Sequence, residues 1–209
     1  MSTVQFIGFS PDLDPAQPGV VTDCQQMIPT NNGMAASPTP VDAGLSALDS
    51  ACKGAFVGTL LDGTRRAVAG TTAKLWDISG GVWTDRSQAG GYTGANRWRF
   101  TMFGSNVLAC NRAQRIQQAA PSGNFADIAT APAAGVMCSA SGFVLVGDVA
   151  DLTGSFGDQP DGWWCSGLFD QTIWTPSVAS QCANGRLVTA PGRILAMREL
   201  GDQVVAYKA

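Results

Sequence analysis

The sequence predicts an all-β fold, a β-propeller of four-stranded antiparallel blades preceded by an extended N-terminal arm. The composition favours turns over helices, because glycine supplies 25 of the 209 residues and charged residues only 14%. Short apolar runs are interrupted by Gly, Asn and Asp about every 8–12 residues, which is typical of sandwiches, barrels and propellers. A strand–turn–strand unit also recurs along the chain, and its period distinguishes among these architectures.

Residues 1–50 are predicted to form the arm. They contain two strand-like runs, VQFIGFSP at 4–11 and GVVTDCQQMIPT at 19–30, followed by the polar stretch NNGMAASPTPVDAG. Proline recurs throughout at positions 11, 15, 18, 29, 38 and 40. Because proline blocks helix interiors and central strands, we expect extended segments that cross a surface.

Residues 51–209 are predicted to form the propeller blades. Four stretches each read as strand, turn and strand, at 53–78, 96–118, 133–152 and 182–209. The predicted turns are Asp62-Gly63, Gly104-Ser105-Asn106, Ser141-Gly142 and Pro191-Gly192. The second strands are aligned at Ala69, Ala109, Val146 and Ala196, which lie 40, 37 and 50 residues apart. This period is close to the 40–50 residues or so of one propeller blade.

An aromatic residue follows the strand pair in three of the units. These residues are Trp83, Phe125 and Trp174, spaced 42 and 49 residues apart, and we interpret them as structural blade markers. About three and a half blades are visible, whereas propellers have about four to eight. We therefore expect an N-terminal piece of a longer propeller, and the alternative is a complete small sandwich of irregular repeats.

The segment GDQPDGWWCSGLFDQTIWTPS at 157–177 is the most distinctive stretch of the chain. It combines Trp163, Trp164 and Trp174 with three aspartates at 158, 161 and 170. One interpretation is a carbohydrate site or a pair of catalytic carboxylates. The other, which we favour, places the aspartates in turns and the tryptophans in the core between blades, so that Trp163 and Trp164 are also structural. Burial of the three tryptophans would argue against the binding interpretation.

Several kinds of chemistry have no support in the sequence. Histidine is absent, which removes the commonest general base and metal ligand. The six cysteines lie 17 to 58 residues apart without any C-x-x-C, which favours buried free thiols in strands over disulfides or a zinc site. A propeller hydrolase of the sialidase type needs clustered arginines, and here they are spread along the sequence. We predict no enzymatic activity, no metal and no cofactor.

The charge and hydropathy of the chain limit its partners. The formal net charge is −3, and the isoelectric point of about 4.7 disfavours a basic face for gripping nucleic acid. No apolar run approaches the 18 or so residues of a membrane-spanning helix, since GFVLVG at 142–147 is only strand-sized. The N-terminus lacks the pattern of a secretory signal, so we expect synthesis in the cytoplasm.

Four strings in the chain resemble a known family. They are FSPDLDPAQPGVVTDCQQMIPTNNGM (9–34), WRFTMFGSNVLACN (98–111), DGWWCSGLFDQTIWTPS (161–177) and GRLVTAPGRILAMRELGDQVVAYK (185–208). Together they are similar to the N-terminal part of the propeller-bearing tail proteins of bacteriophages, in particular the nozzle or tail-hub proteins of short-tailed phages. The motifs follow the patterns W-R-F-x-x-F-G and W-W-x-S-G-x-x-D-x-x-x-W.

The resemblance implies a non-enzymatic virion protein of the phage tail, made in the host cytoplasm. Such proteins form a homo-oligomeric ring, typically a hexamer, below the portal and adaptor, and they also contact tail fibres or spikes. The lumen passes the genomic DNA without binding it specifically, and an acidic chain suits that task because negative charge repels phosphates. The alternative is a receptor- or glycan-binding propeller module at a tail tip.

Overall fold

The computed structural model describes residues 8–23, 25–30, 33–39, 41–79, 81–152 and 154–209. The chain divides into two compact units, Met1–Gly44 and Leu45–Ala209. No helix occurs among the described residues, so the all-β prediction is confirmed for them. The predicted boundary between an arm at 1–50 and blades from residue 51 stays a prediction.

The described residues of the smaller unit form two short pairs of strands. In the first pair, β1 (Gly8–Phe9) lies parallel to β2 (Val20–Val21). In the second pair, β3 (Met27–Thr30) lies antiparallel to β4 (Gly33–Ala36). The strand-like run predicted at 4–11 extends into residues outside the described ranges.

The described residues of the larger unit form three four-stranded antiparallel sheets and one hairpin. In each sheet the strands follow one another in chain order. The first sheet contains β5 (Gly54–Thr59), β6 (Arg65–Gly70), β7 (Leu75–Ser79) and β8 (Val82–Asp85). The second contains β9 (Arg99–Phe103), β10 (Asn106–Cys110), β11 (Gln117–Ala119) and β12 (Ala126–Asp127). The third contains β13 (Ala133–Ala140), β14 (Phe143–Ala150), β15 (Asp158–Cys165) and β16 (Ala183–Arg186), and the hairpin contains β17 (Ile194–Leu200) and β18 (Gln203–Lys208).

The first hairpin of each four-stranded sheet has the turn that the sequence predicts. Gly63, with a φ of 83°, follows Asp62, whose carboxylate accepts a hydrogen bond from the Thr64 amide at 2.9 Å. The third sheet turns at Ser141-Gly142, where both residues have positive φ angles of 49° and 81°. Two successive residues with positive φ suit a two-residue hairpin because their twist matches that of the strands. The second sheet turns at Gly104-Ser105.

The fourth predicted unit is wrong in its register. Residues 183–186 form β16, which pairs with β15 and completes the third sheet instead of beginning a new unit. Pro191-Gly192 lies in the connection that follows, and the hairpin turns instead at Gly201-Asp202. Ala196 therefore lies in the first strand of the hairpin, not in a second strand. The third sheet takes its last strand from beyond a long loop at 166–182, and this displaces the next unit along the sequence.

The described residues form three hydrophobic cores, which lie between successive sheets. The first core joins the first and second sheets, the second core joins the second and third, and the third core joins the third sheet to the hairpin. The side chains of β10 alternate between the two faces of its sheet and so contribute to two cores. Val107 and Ala109 pack in the first core, and Leu108 and Cys110 pack in the second. The first strands of the sheets also adjoin in order, since β9 contacts β5 and β13, and β13 contacts β17.

Candidate functional site

The two adjacent tryptophans of β15 lie on opposite faces of the third sheet. Trp164 is 5% exposed and packs in the second core, where Trp174 is completely buried. Trp163 is partly buried and packs against the third core. Successive strand residues alternate between faces, so the pair anchors the third sheet on both sides. Trp164 and Trp174 present no exposed aromatic surface on which a sugar could stack.

The three predicted blade markers lie at different places in their sheets. Trp83 is in β8, the last strand of the first sheet, and is partly buried. Phe125 directly precedes β12 and is buried in the first core. Trp174 lies in the loop at 166–182 between β15 and β16. Phe125 and Trp174 each fill the core between their own sheet and the preceding one, while their role as repeated markers stays a prediction.

The aspartates of the 157–177 segment hold the local structure. Asp161 accepts two hydrogen bonds from Arg186 across the β15–β16 pair, from Nε at 2.9 Å and from Nη2 at 3.0 Å. Asp158 accepts one from Arg112. Asp170 accepts hydrogen bonds from the amide and hydroxyl of Thr172 at 2.8 and 2.6 Å, closing a turn. All three therefore have structural partners, but only Asp170 lies in a turn. Asp158 and Asp161 lie in β15, so their prediction as turn residues is wrong.

The electrostatics of Asp161 oppose a role as a general acid. The hydrogen bond from Arg186 lowers the pKa of the Asp161 carboxyl below its usual range. A glycosidase acid needs the opposite shift, because it must carry a proton at neutral pH. The arrangement around Asp161 therefore favours a permanently ionised, structural carboxylate.

The cysteines of the described ranges are free thiols, as predicted. Cys110, Cys138, Cys165 and Cys182 are buried, whereas Cys52 is exposed and departs from the prediction of buried thiols. Cys182 donates from Sγ to the carbonyl oxygen of Cys165 at 3.1 Å, and Cys165 Sγ accepts from the Ala183 amide at 3.3 Å. These two thiols are therefore used in packing β15 against β16. Cys24 lies outside the described residues.

Alkylation should separate the exposed thiol from the buried ones. Burial raises the pKa of Cys110 to about 12, so at about pH 8 nearly all of this thiol stays protonated and unreactive. A brief treatment of the folded chain with iodoacetamide should modify Cys52 and spare Cys110, as measured by peptide mass spectrometry. The same treatment in denaturant is the control and should modify both. Equally fast labelling of Cys110 in the folded chain would show that the second core is open.

A buried aspartate that the sequence analysis did not single out joins three parts of the larger unit. Asp148 lies in β14 with a φ of 55°, where the pairing with β15 is irregular. Its Oδ1 accepts from Arg112 Nε at 2.7 Å and lies 3.3 Å from Arg193 Nε. Arg112 also pairs with Asp158, so the network links the second sheet, the third sheet and the approach to the hairpin. A charged residue inside the apolar run FVLVGDVA is the signal that could have revealed it.

The arginines, which are spread along the sequence, are partly brought together in the fold. Arg97 and Arg99 at the start of the second sheet line the same cavity as Arg198 from β17. The adjoining order of β9, β13 and β17 produces this proximity. The spacing of the arginines along the sequence therefore does not show that three of them line one cavity.

Comparison with protein families and with curated proteins gives no match. No protein-family model matches the chain, and the search of the curated proteins finds no significant match. Within the described residues, no group of three or more His, Cys, Asp or Glu side chains is placed to hold a metal ion. A helix long and apolar enough to cross a membrane is not found there either.

Proposed function

We propose that this chain is a structural protein of a bacteriophage tail, a propeller module in the nozzle or hub ring through which DNA is ejected. The resemblance of the four sequence strings suggests this function. The fold supports the propeller, because successive four-stranded sheets stack through three cores and their first strands adjoin in order. The ring would be a homo-oligomer, in contact with portal or adaptor proteins and with fibres or spikes.

The observation that carries the proposal is that the stack of sheets is open at both ends. On the first sheet, the strand register places Val57 on the face turned away from the first core, and Val57 is 62% exposed. At the other end the sheet has two strands, and β18 has no second neighbour among the described residues. Stacked β units bury their faces only against neighbours, and an unpaired strand edge favours further pairing. These are surfaces suited to assembly.

The N-terminal residues fit the same proposal. We propose that residues 1–50 act as an arm that reaches a neighbouring subunit and adds a strand to it. Amide hydrogen exchange in the β3–β4 pair should then be slower in the assembled ring than in the dilute chain. Equal exchange in both states would argue against such an arm.

The experiment for the ring is the mass and symmetry of the purified chain, by light scattering and electron-microscopy class averages. A closed ring with a lumen of about 20 Å or more, wide enough for duplex DNA, is the expected result. A monomer at all concentrations, with no axial channel, would overturn the proposal. A monomer that also binds an immobilised glycan would favour the receptor-binding alternative, for which the buried Trp164 and Trp174 offer no platform.

A matched pair of variants tests whether the open face of the first sheet takes part. Val57→Lys places a charge on that face and should shift the population from ring to monomer, because an unpaired charge at an apolar interface is costly to bury. Leu61→Lys is the control, since Leu61 is 83% exposed in the neighbouring β5–β6 turn and should leave assembly unchanged. Equal loss in both variants, or in neither, would exclude this face from the interface.

A further inference from the structure

A cationic cleft lies where the first strands of the sheets meet. Its volume is about 530 Å³, and it is bounded by the beginning of β5 and by β9, β13 and β17. Four of its lining side chains carry a positive charge, namely Lys53, Arg97, Arg99 and Arg198. The described residues that line it include no carboxylate. This concentration of positive charge is local, because the whole chain has a net charge of −3.

An adjoining cavity of about 440 Å³ shares Arg97 and Arg99 with this cleft. Its other two arginines, Arg112 and Arg193, are already paired with Asp148. The nearest acidic residue on β17 is Glu199, which lines neither cavity. Asp148 therefore pairs with Arg112 and Arg193, while Arg97, Arg99 and Arg198 have no acidic partner among the described residues.

Arg99 lines both cavities and is the least exposed of the three unpaired arginines. Its Nε is buried and has no hydrogen-bond partner. Burial, followed by repulsion from Arg97 and Arg198, lowers the pKa of the Arg99 guanidinium. A partly desolvated cation between two like charges is unfavourable unless an anion compensates it. By contrast, Arg66 and Arg186 each have an aspartate partner.

We propose that this cleft binds a phosphate group, held by Arg97, Arg99 and Arg198. Guanidinium groups donate paired N–H bonds to phosphate oxygens, and three of them converge here. A phosphate carries about 1.5 to 2 negative charges and three acceptor oxygens near neutral pH, which suits several cations better than a single carboxylate does. The phosphate belongs either to a small molecule or to a nucleic-acid backbone. The inference does not depend on the proposed ring.

The experiment is titration of the full chain with inorganic phosphate, at constant ionic strength, by calorimetry and thermal unfolding. Phosphate should bind and raise the melting temperature, while acetate at the same ionic strength should not. Arg99→Gln and Arg198→Gln should each weaken phosphate binding by roughly tenfold or more. Arg65→Gln is the matched control, because Arg65 is exposed on β6 away from the cleft, and it should bind as the unmodified chain does.

The melting temperature without phosphate distinguishes a loss of binding from a loss of folding. Arg99→Gln removes an unpaired, partly buried cation, so without phosphate its melting temperature should equal or exceed that of the unmodified chain. A short oligothymidylate compared with free phosphate identifies the source, since tighter, Arg99-dependent binding of the oligonucleotide indicates a nucleic-acid backbone. Three results would overturn the proposal: no phosphate binding, an equal effect of acetate, or equal losses in Arg65→Gln and Arg99→Gln.

Discussion

Replacing Arg66 by methionine is expected to lower the free energy of unfolding by about 3–5 kcal/mol. Arg66 is 4% exposed, and its Nε donates to the buried Asp77 at 2.7 Å within the first sheet. Methionine fills much of the space of the arginine stem but leaves Asp77 as an uncompensated buried charge. Such a charge is among the few single changes with an effect of this size.

Arg66 also joins the first sheet to the second. Its Nη1 and Nη2 donate to the carbonyl oxygens of Ala120 and Gly123, at 2.6 and 3.1 Å, in the connection before β12. The guanidinium carbon lies 5.7 Å from the centre of the Phe125 ring. Three partners in fixed directions suit the planar fork of arginine, so Arg66→Lys should recover only part of the stability.

Urea unfolding provides the measurement, with Arg65→Met as the matched control. Arg65 is the exposed neighbour on the same strand, and its replacement should change stability by less than about 0.5 kcal/mol. The double variant Arg66→Met, Asp77→Leu should recover much of the loss, because both charges then leave the interior together. A loss below about 1 kcal/mol for Arg66→Met would mean that Asp77 reaches water in the folded chain.

The local parts of this fold are predictable from the sequence because they depend on short segments. Turns such as Asp62-Gly63 and Ser141-Gly142 need residues that tolerate positive φ. The short apolar runs on either side of such a turn form the two strands of a hairpin. The alignment of Ala69, Ala109 and Val146 is correct, since each lies in the second strand of its sheet. The turn of a hairpin fixes how its two strands pair, so their register depends on local sequence.

The assignment of β16 could not be made in the same way. Strand β16 (ANGR) has no apolar run, and nothing in its own residues or in those of β17 states which sheet each one joins. The choice depends on β15, whose outer edge is free to pair with the strand that returns after the 166–182 loop. In the second sheet the corresponding connection is short, so chain order alone gives the right partner there.

The candidate sites differ in the same way, because some of their contacts are local in sequence and others join distant segments. Asp170 bonds to Thr172, two residues away, so its place in a turn follows from the local sequence. Asp158 and Asp161 bond instead to Arg112 and Arg186, which are 46 and 25 residues away and could not be assigned as partners from spacing. Arg99 and Arg198 are almost a hundred residues apart, and only the adjoining of β9, β13 and β17 brings them to one cleft. No spacing rule along the chain predicts a site of that kind.

Replacing Trp174 by alanine is expected to cost about 3–5 kcal/mol of stability, the range for removing a fully buried aromatic side chain. Trp174 is 0% exposed in the second core, between the second and third sheets. Its Nε1 donates to the carbonyl oxygen of Gln171 at 2.8 Å, which fixes the indole within the 166–182 loop. Trp174→Phe keeps much of the volume and loses this hydrogen bond, so its cost should be smaller.

The comparison with Val178→Ala separates this structural role from a binding role. Val178 lies in the same loop and is 97% exposed, so its truncation should leave the urea midpoint nearly unchanged. If Trp174 were instead a sugar-stacking residue, Trp174→Ala would unfold at the same urea concentration as Val178→Ala and lose only glycan binding. A large drop in the urea midpoint for Trp174→Ala alone would show that the buried indole stabilises the packing of the second sheet against the third. The distinctive Trp and Asp segment would then be explained by packing, which leaves the arginine cleft as the place to look for a ligand.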